Sequence, residues 1–317
     1  MRHRSLLVAL ATTLLVSHPA AADIVVYTAG PANLINALAK GFTTKTGVKV
    51  NVFQATTGKV MARIESEAAN PSVDVLISAS WDTATDFAKR KWIAAYQSPN
   101  AATVPAFLKT DGVVAQGVSA LAITWNSKSG TPRPNDWTDL AGPAYKNLVT
   151  IPDPVQSGSS FELVAALQLK FGWKLFEDLK ANGAIVPGPN AAALNPVLQG
   201  AKAAVFGAVD YISLGSRDKG EPIEVIFPKT GTVVAPRPII VMNWSKQQAD
   251  AKKFVDYMLS PEGQAAVAKV QMMPARADIA AKRPLIKDLA ILEFDNAQIY
   301  AKRKEILQRF ADIFGRK

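Results

Sequence analysis

From residue 24 onward, short apolar runs alternate with stretches whose apolar residues recur every three or four positions. That is the pattern of an α/β protein. Ile24 to Tyr27 predicts a first strand, and Leu34, Ile35, Leu38 and Phe42 predict one face of a helix. Val48 to Phe53 predicts a second strand, followed by a helix from about Gly58 to Ala69 and a buried strand from Val73 to Ile77. Gly117 to Trp125 reads as a strand that opens a middle region. That region holds Leu148 to Ile151, a helix after Ser160, Ala184 to Val186, Ala203 to Val209 and Ile223 to Phe227. A second extended run, Thr232 to Met242, closes it. From Ser245 the pattern is almost wholly helical, with Ser260 as an N-cap and Pro261 at the first helical position. These last helices are expected to run back over the first part of the chain.

Two extended segments, one entering and one leaving the middle region, predict hinge strands between two lobes. The expected division is residues 23–118 plus 239–317 for lobe 1 and 119–238 for lobe 2.

Residues 1–22 follow a different pattern. Arg2 and Arg4 precede an apolar run from Leu6 to Val16, and small residues end the segment at Ala20-Ala21-Ala22. This is the arrangement of a cleavable secretory signal peptide, and the run is well short of the roughly 20 residues that span a bilayer. Cleavage after Ala22 places the protein in the periplasm and, of 317 residues, leaves 295, enough for two lobes of ordinary domain size. The formal charge falls from +10 to +8, because Arg2 and Arg4 leave and no acidic residue does. The remaining basic residues are scattered, so the excess suits a soluble surface or a small anion, and export argues against nucleic acid.

Both histidines, His3 and His18, lie in the signal segment, and the chain has no cysteine. Thiol catalysis and thiolate metal sites are therefore excluded, and a serine nucleophile would lack its usual base. Around Ser157 the glycine of a nucleophile elbow is missing, since Val155 stands two residues before it. The expectation is a binding protein, not an enzyme; a periplasmic hydrolase is the lesser alternative.

Four segments offer anion-binding groups. Ser157-Gly158-Ser159-Ser160 precedes the apolar helix Phe161 to Leu169, where free N–H groups, the positive dipole end and hydroxyls converge. Thr57-Gly58 sits at another predicted helix start. Ser78 and Ser80 follow the strand Val73 to Ile77, and Tyr27-Thr28 ends the first strand; ligands of open α/β sheets gather at such strand ends. Ordinary capping or turn chemistry is the alternative at each. Arg237, held extended between Pro236 and Pro238, could grip phosphate or carboxylate through its guanidinium.

Val25-Val26-Tyr27-Thr28, Thr57-Gly58-Lys59-Val60-Met61-Ala62-Arg63-Ile64, Asp74-Val75-Leu76, Ser260-Pro261-Glu262-Gly263-Gln264 and Met273-Pro274-Ala275-Arg276 occur in that order. In these segments the chain resembles the extracytoplasmic solute-binding proteins of ABC importers, in the branch with ferric-ion, 2-aminoethylphosphonate and sugar-phosphate binders. The resemblance implies a two-lobe, type II-like periplasmic binding protein fold with hinge strands and an interlobe cleft. It also implies a monomer without cofactor whose closed form is read by a membrane permease. Ferric-binding relatives carry adjacent tyrosines where this chain has Asp210-Tyr211. One phenol without histidine is a poor iron site, so Tyr211 is a metal ligand only under an iron alternative. Asp210 instead suits an ammonium or hydroxyl group. The expected ligand is a small organophosphonate or organophosphate, such as 2-aminoethylphosphonate or a sugar phosphate.

Overall fold

The computed structural model describes residues 23–315, so the signal-peptide expectation lies outside the described residues. Strand β1 (Ile24–Thr28) pairs in parallel with β2 (Val50–Gln54), the two joined by helix α1 (Ala32–Thr46). Leu34, Ile35, Leu38 and Phe42 of α1 are buried at the spacing the sequence predicts, and Gly47, in the left-handed region, ends the helix with its N–H on the Thr43 carbonyl. Helix α2 (Thr57–Ser66) then leads to β3 (Val75–Ile77), parallel to β1, and helix α3 (Asp82–Lys89) follows.

The lobes are joined through one long strand. After the short β4 (Lys109–Thr110), β5 (Val113–Asn126) runs 14 residues, every one of them buried. The second half of β5 enters the sheet of lobe 2, built from β6 (Val149–Pro152), α4 (Gly158–Phe171), α5 (Lys174–Ala181), β7 (Ile185–Gly188), α6 (Asn190–Leu198), β8 (Ala204–Val209), α7 (Asp210–Arg217) and β9 (Ile223–Ile226). Strand β10 (Val234–Val241) returns to lobe 1, followed by α8 (Gln248–Met258), α9 (Pro261–Lys269), β11 (Met273–Pro274), α10 (Asn296–Ala301) and α11 (Arg303–Phe314). Residues 113–120 of β5 pair with β10, whereas 121–126 pair with β8 or β9. The sheet order is therefore β2-β1-β3-β10-β5-β8-β6-β7, with β4, β9 and β11 also on β5. The boundaries expected near residues 118 and 238 fall inside these two hinge strands.

Two expectations for the C-terminal part need correction. The chain is not helical between α9 and α10: Pro274 and Pro284 interrupt it, and proline both lacks the N–H and disfavours helix in the residue before it. The last helices do not return to lobe 1 either. Ile299, Ile306, Phe310 and Phe314 are buried in the same core as Phe176 and Phe206 of lobe 2, with the Phe310 and Phe176 rings 5.9 Å apart. Residues 275–292 thus form a third crossing between the lobes. It is pinned to lobe 2 where Thr232 N–H donates to Ala290 and Leu292 N–H donates to Thr232, both at 2.8 Å.

Candidate ligand cleft

Five helices start at one cavity of about 240 Å³ between the lobes. Their N-cap residues, Pro31 of α1, Thr56 of α2, Ser157 of α4, Pro189 of α6 and Val209 of α7, all line it. The first turn of a helix presents N–H groups without intrahelical partners and the positive end of the dipole, so ends that converge here favour an anion, although α2, α4 and α7 already spend the Gly58, Gly158 and Tyr211 N–H groups on Gln156, Thr57 and Asp210. Thr56 and Ser157 cap their helices through side-chain oxygens, whereas Pro31, Pro189 and Val209 make no side-chain cap.

Arg237 is the one charged residue among the described residues that line this cavity, and no carboxylate lines it. It lies on β10 where the register against β5 shifts between Pro236 and Pro238. Neither proline can donate to the ladder, so the backbone here departs from regular pairing. The side chain is 1% exposed; its Nη2 donates to the Ala29 carbonyl at 2.6 Å and its Nη1 to Ser119 Oγ at 3.4 Å. Its Nε is buried without a hydrogen-bond partner, as is Asn190 Oδ1. Buried polar atoms in native proteins are normally paired, and these two unpaired ones belong to residues that line the same cavity. Asn190 donates through Nδ2 to Ser157 Oγ at 2.7 Å, and Ser157 Oγ lies 3.1 Å from Ser159 Oγ. Tyr211 is partly exposed to the cavity with the Arg237 guanidinium 5.8 Å from its ring centre. Burial pushes its phenol up; the positive charge of Arg237 opposes this and Asp210 adds to it.

The structure brings Thr57, Ser157, Ser159, Tyr211 and Arg237 together around the cavity. Gly58 and Gly158 act at its edge as cross-lobe contacts: Gly58 N–H donates to the Gln156 carbonyl at 3.5 Å, and Gly158 N–H donates to Thr57 Oγ1 at 3.4 Å. The other expected residues are engaged elsewhere. Tyr27 packs under α2, its phenol 2.8 Å from Glu67 and from Ser72. Thr28 Oγ1 accepts from Gly30 N–H at 2.9 Å, so it shapes the loop whose Ala29 and Gly30 line the cavity. Ser78 bonds Thr83, Ser80 bonds Glu162, and Ser160 donates to the Pro152 carbonyl.

Asp210 departs furthest from its expected role of holding a ligand's ammonium or hydroxyl group. Its Oδ2 accepts from Arg283 Nη2 at 2.5 Å and from Ala120 N–H at 2.9 Å, and its Oδ1 accepts from Tyr211 N–H at 2.7 Å. Both partners of this ion pair have fully buried side chains. Burial pushes the Asp210 carboxyl up, and Arg283 with the two N–H donors pulls it back. The residue anchors the start of α7 and does not reach the ligand space.

Gln54, Gln156 and Asn190 line the cavity and escaped the sequence reading. Gln54 and Gln156 sit just before recognised helix starts, which was the available signal. Asn190 opens a helix after Pro189, a cap without a side-chain oxygen.

Two α/β lobes joined by hinge strands around a polar cleft define a periplasmic-type binding protein. The chain belongs to the bacterial extracellular solute-binding proteins, matching that family over residues 24–270. It is similar to a putative 2-aminoethylphosphonate-binding periplasmic protein of Salmonella typhimurium, 23% identical over 75% of this chain and 73% of the relative. Among solved structures it resembles the periplasmic binding protein AfuA of Actinobacillus pleuropneumoniae with fructose-6-phosphate bound. The TM-score is 0.84 at 22% identity, covering 93% of this chain and 99% of that one. Iron-bound HitA of Pseudomonas aeruginosa matches with a TM-score of 0.80 at 23% identity, over 92% of this chain and 99% of that one. The protein is a solute-binding protein of an ABC importer; the relatives named are binding proteins. No helix among the described residues is long and apolar enough to cross a membrane.

Proposed function

We propose that the cleft takes a small phosphate ester or phosphonate, that the protein acts as an exported periplasmic receptor delivering it to a membrane permease, and that it carries out no chemistry of its own. The observation that carries this reading is the Arg237 guanidinium, buried without a carboxylate and with its Nε unpartnered, at the meeting point of five helix starts. A tetrahedral oxyanion can accept from Arg237 and from several N–H groups at once, and hydrogen bonds to a charged group contribute roughly 1.5–3 kcal/mol each. The rest of the lining is neutral: Gln54, Gln156, Asn190, Thr57, Ser159 and Tyr211. Such a wall suits a hydroxylated, uncharged body better than an ammonium group, because no carboxylate lines the cavity to receive one. A phosphate ester of a polyol or sugar is therefore preferred over 2-aminoethylphosphonate.

Ferric ion is disfavoured by the same features. A cation would sit beside Arg237 with one phenol, and no group of three or more His, Cys, Asp or Glu suitable for a metal exists among the described residues. The test is a thermal-shift panel of glucose 6-phosphate, glycerol 3-phosphate, 2-aminoethylphosphonate, inorganic phosphate and ferric citrate. A phosphate ester at 100 times its dissociation constant should add about 2.7 kcal/mol of stability. A larger response to 2-aminoethylphosphonate would overturn the neutral-body reading. A response to iron alone, with a visible absorption band lost in Tyr211→Phe, would overturn the anion reading altogether.

A further inference from the structure

Glu162 lies one helical turn after Gly158 on α4, on the face that meets lobe 1, and it is 2% exposed. Its Oε1 accepts from Ser80 Oγ at 2.6 Å and from Trp81 N–H at 2.8 Å, both in the loop after β3 of lobe 1. Tyr300 OH of α10 donates to the same oxygen at 3.4 Å. Among the described residues, no cation forms an ion pair with it. Asp82 at the start of α3 adds negative charge, and Arg303 of α11 is spent on Asp82 at 2.5 Å while its guanidinium stacks 4.2 Å from the Phe161 ring centre. A carboxylate enclosed in this way has no cation to offset its lost hydration, and such a group takes up a proton instead.

We propose that Glu162 is a protonation-dependent latch between the lobes, which joins the closed interface as the neutral acid and is released into water as the carboxylate when the lobes part. The inference rests on the reading that the lobes open and close around the cleft. Burial, with Asp82 acting in the same direction, pushes the Glu162 carboxyl from its ordinary value of 4.5 to about 8, against the pull of Ser80, Trp81 N–H and Tyr300. An exposed Glu162 titrates in the ordinary carboxylate range. Between the two values closure takes up a proton, so the closed state is favoured at lower pH and loses about tenfold in population ratio per unit as pH rises towards 8. Below the ordinary range both states are protonated, and above about 8 both are ionised, so the dependence levels off at each end.

The chain has no cysteine, so a labelled pair can be introduced cleanly. Lys59→Cys on α2 and Asn195→Cys on α6 place spin labels at exposed positions on opposite lobes. Interlabel distances in the ligand-free protein should show a closed-to-open ratio that falls at least about tenfold between about pH 6 and about pH 8. In Glu162→Gln, which keeps the accepting oxygen and removes the titration, the distribution should be the same at both pH values. Identical distributions at both pH values in the parent protein, or a pH response retained in Glu162→Gln, would overturn the latch. Addition of glucose 6-phosphate separates the two readings. Shortening on ligand addition without a pH response leaves the closing cleft standing and removes the latch, whereas a single fixed distance under every condition removes both.

Discussion

Two buried arginines show how differently the same side chain can be used. Arg283 meets the Asp210 carboxylate with both side chains fully enclosed, and it also donates to the Gln271 carbonyl. Removing one member of such a pair strands the other charge, at about 3–5 kcal/mol. Arg237 has no ion pair among the described residues and leaves Nε unpartnered, so the ligand-free protein bears its desolvation. Arg283→Met is therefore expected to lower unfolding free energy by about 3–5 kcal/mol in urea titrations. Arg237→Met should leave it within about 1 kcal/mol or raise it, yet abolish the ligand-induced thermal shift. Equal destabilisation in both variants would mean that Arg237 is structural. Arg237 was legible in the sequence because two prolines fix its backbone. The role of Asp210 was not, because its partner stands 73 residues away and no local signal announces the pair.

At the scale of elements, helix starts were legible where side chains cap them. Thr56-Thr57-Gly58 and Ser157-Gly158-Ser159 carry that signal, and both lead to the cleft. The starts of α1, α6 and α7 follow Pro31, Pro189 and Val209, which supply no capping oxygen, so three of the five anion-facing ends had no capping signal in the sequence. Strand periodicity likewise placed Tyr27 correctly in β1, but helices cover both faces of that strand, and Tyr27 faces α2 instead of the cleft. Gly158 has a role that only the closed lobes reveal. A Cβ there would lie 2.7 Å from the Ser80 Cβ and 3.3 Å from Ala79 C and Ser80 N. Gly158→Ala suits the helix, where alanine gains up to about 0.5–1 kcal/mol over glycine, but it obstructs closure. Calorimetry should show a dissociation constant raised at least tenfold, about 1.4 kcal/mol, with thermal stability of the ligand-free protein unchanged or higher. Unaltered affinity would show that the two loops separate without consequence for binding.

At the scale of the whole molecule, the alternation of strands and helices was enough to predict two lobes and two hinge strands, since each βα unit is a local pattern. The third crossing was hidden because residues 275–292 carry little periodic signal and are held by distant partners, Asp210 for Arg283 and Thr232 for Ala290 and Leu292. That crossing gives the C-terminal helices to lobe 2. Ile299, Ile306, Phe310 and Phe314 are each at most 7% exposed there. Burying four such side chains contributes on the order of 6–12 kcal/mol, comparable with the net stability of an entire domain. Deletion of residues 294–317 should therefore unfold lobe 2 while lobe 1 keeps its own core around Phe42 and Phe254. Limited proteolysis of the truncated chain should cut first within residues 127–233, and calorimetry should retain one smaller transition from lobe 1. A truncated protein that melts as the full chain does would mean that α10 and α11 merely cover a core that is complete without them.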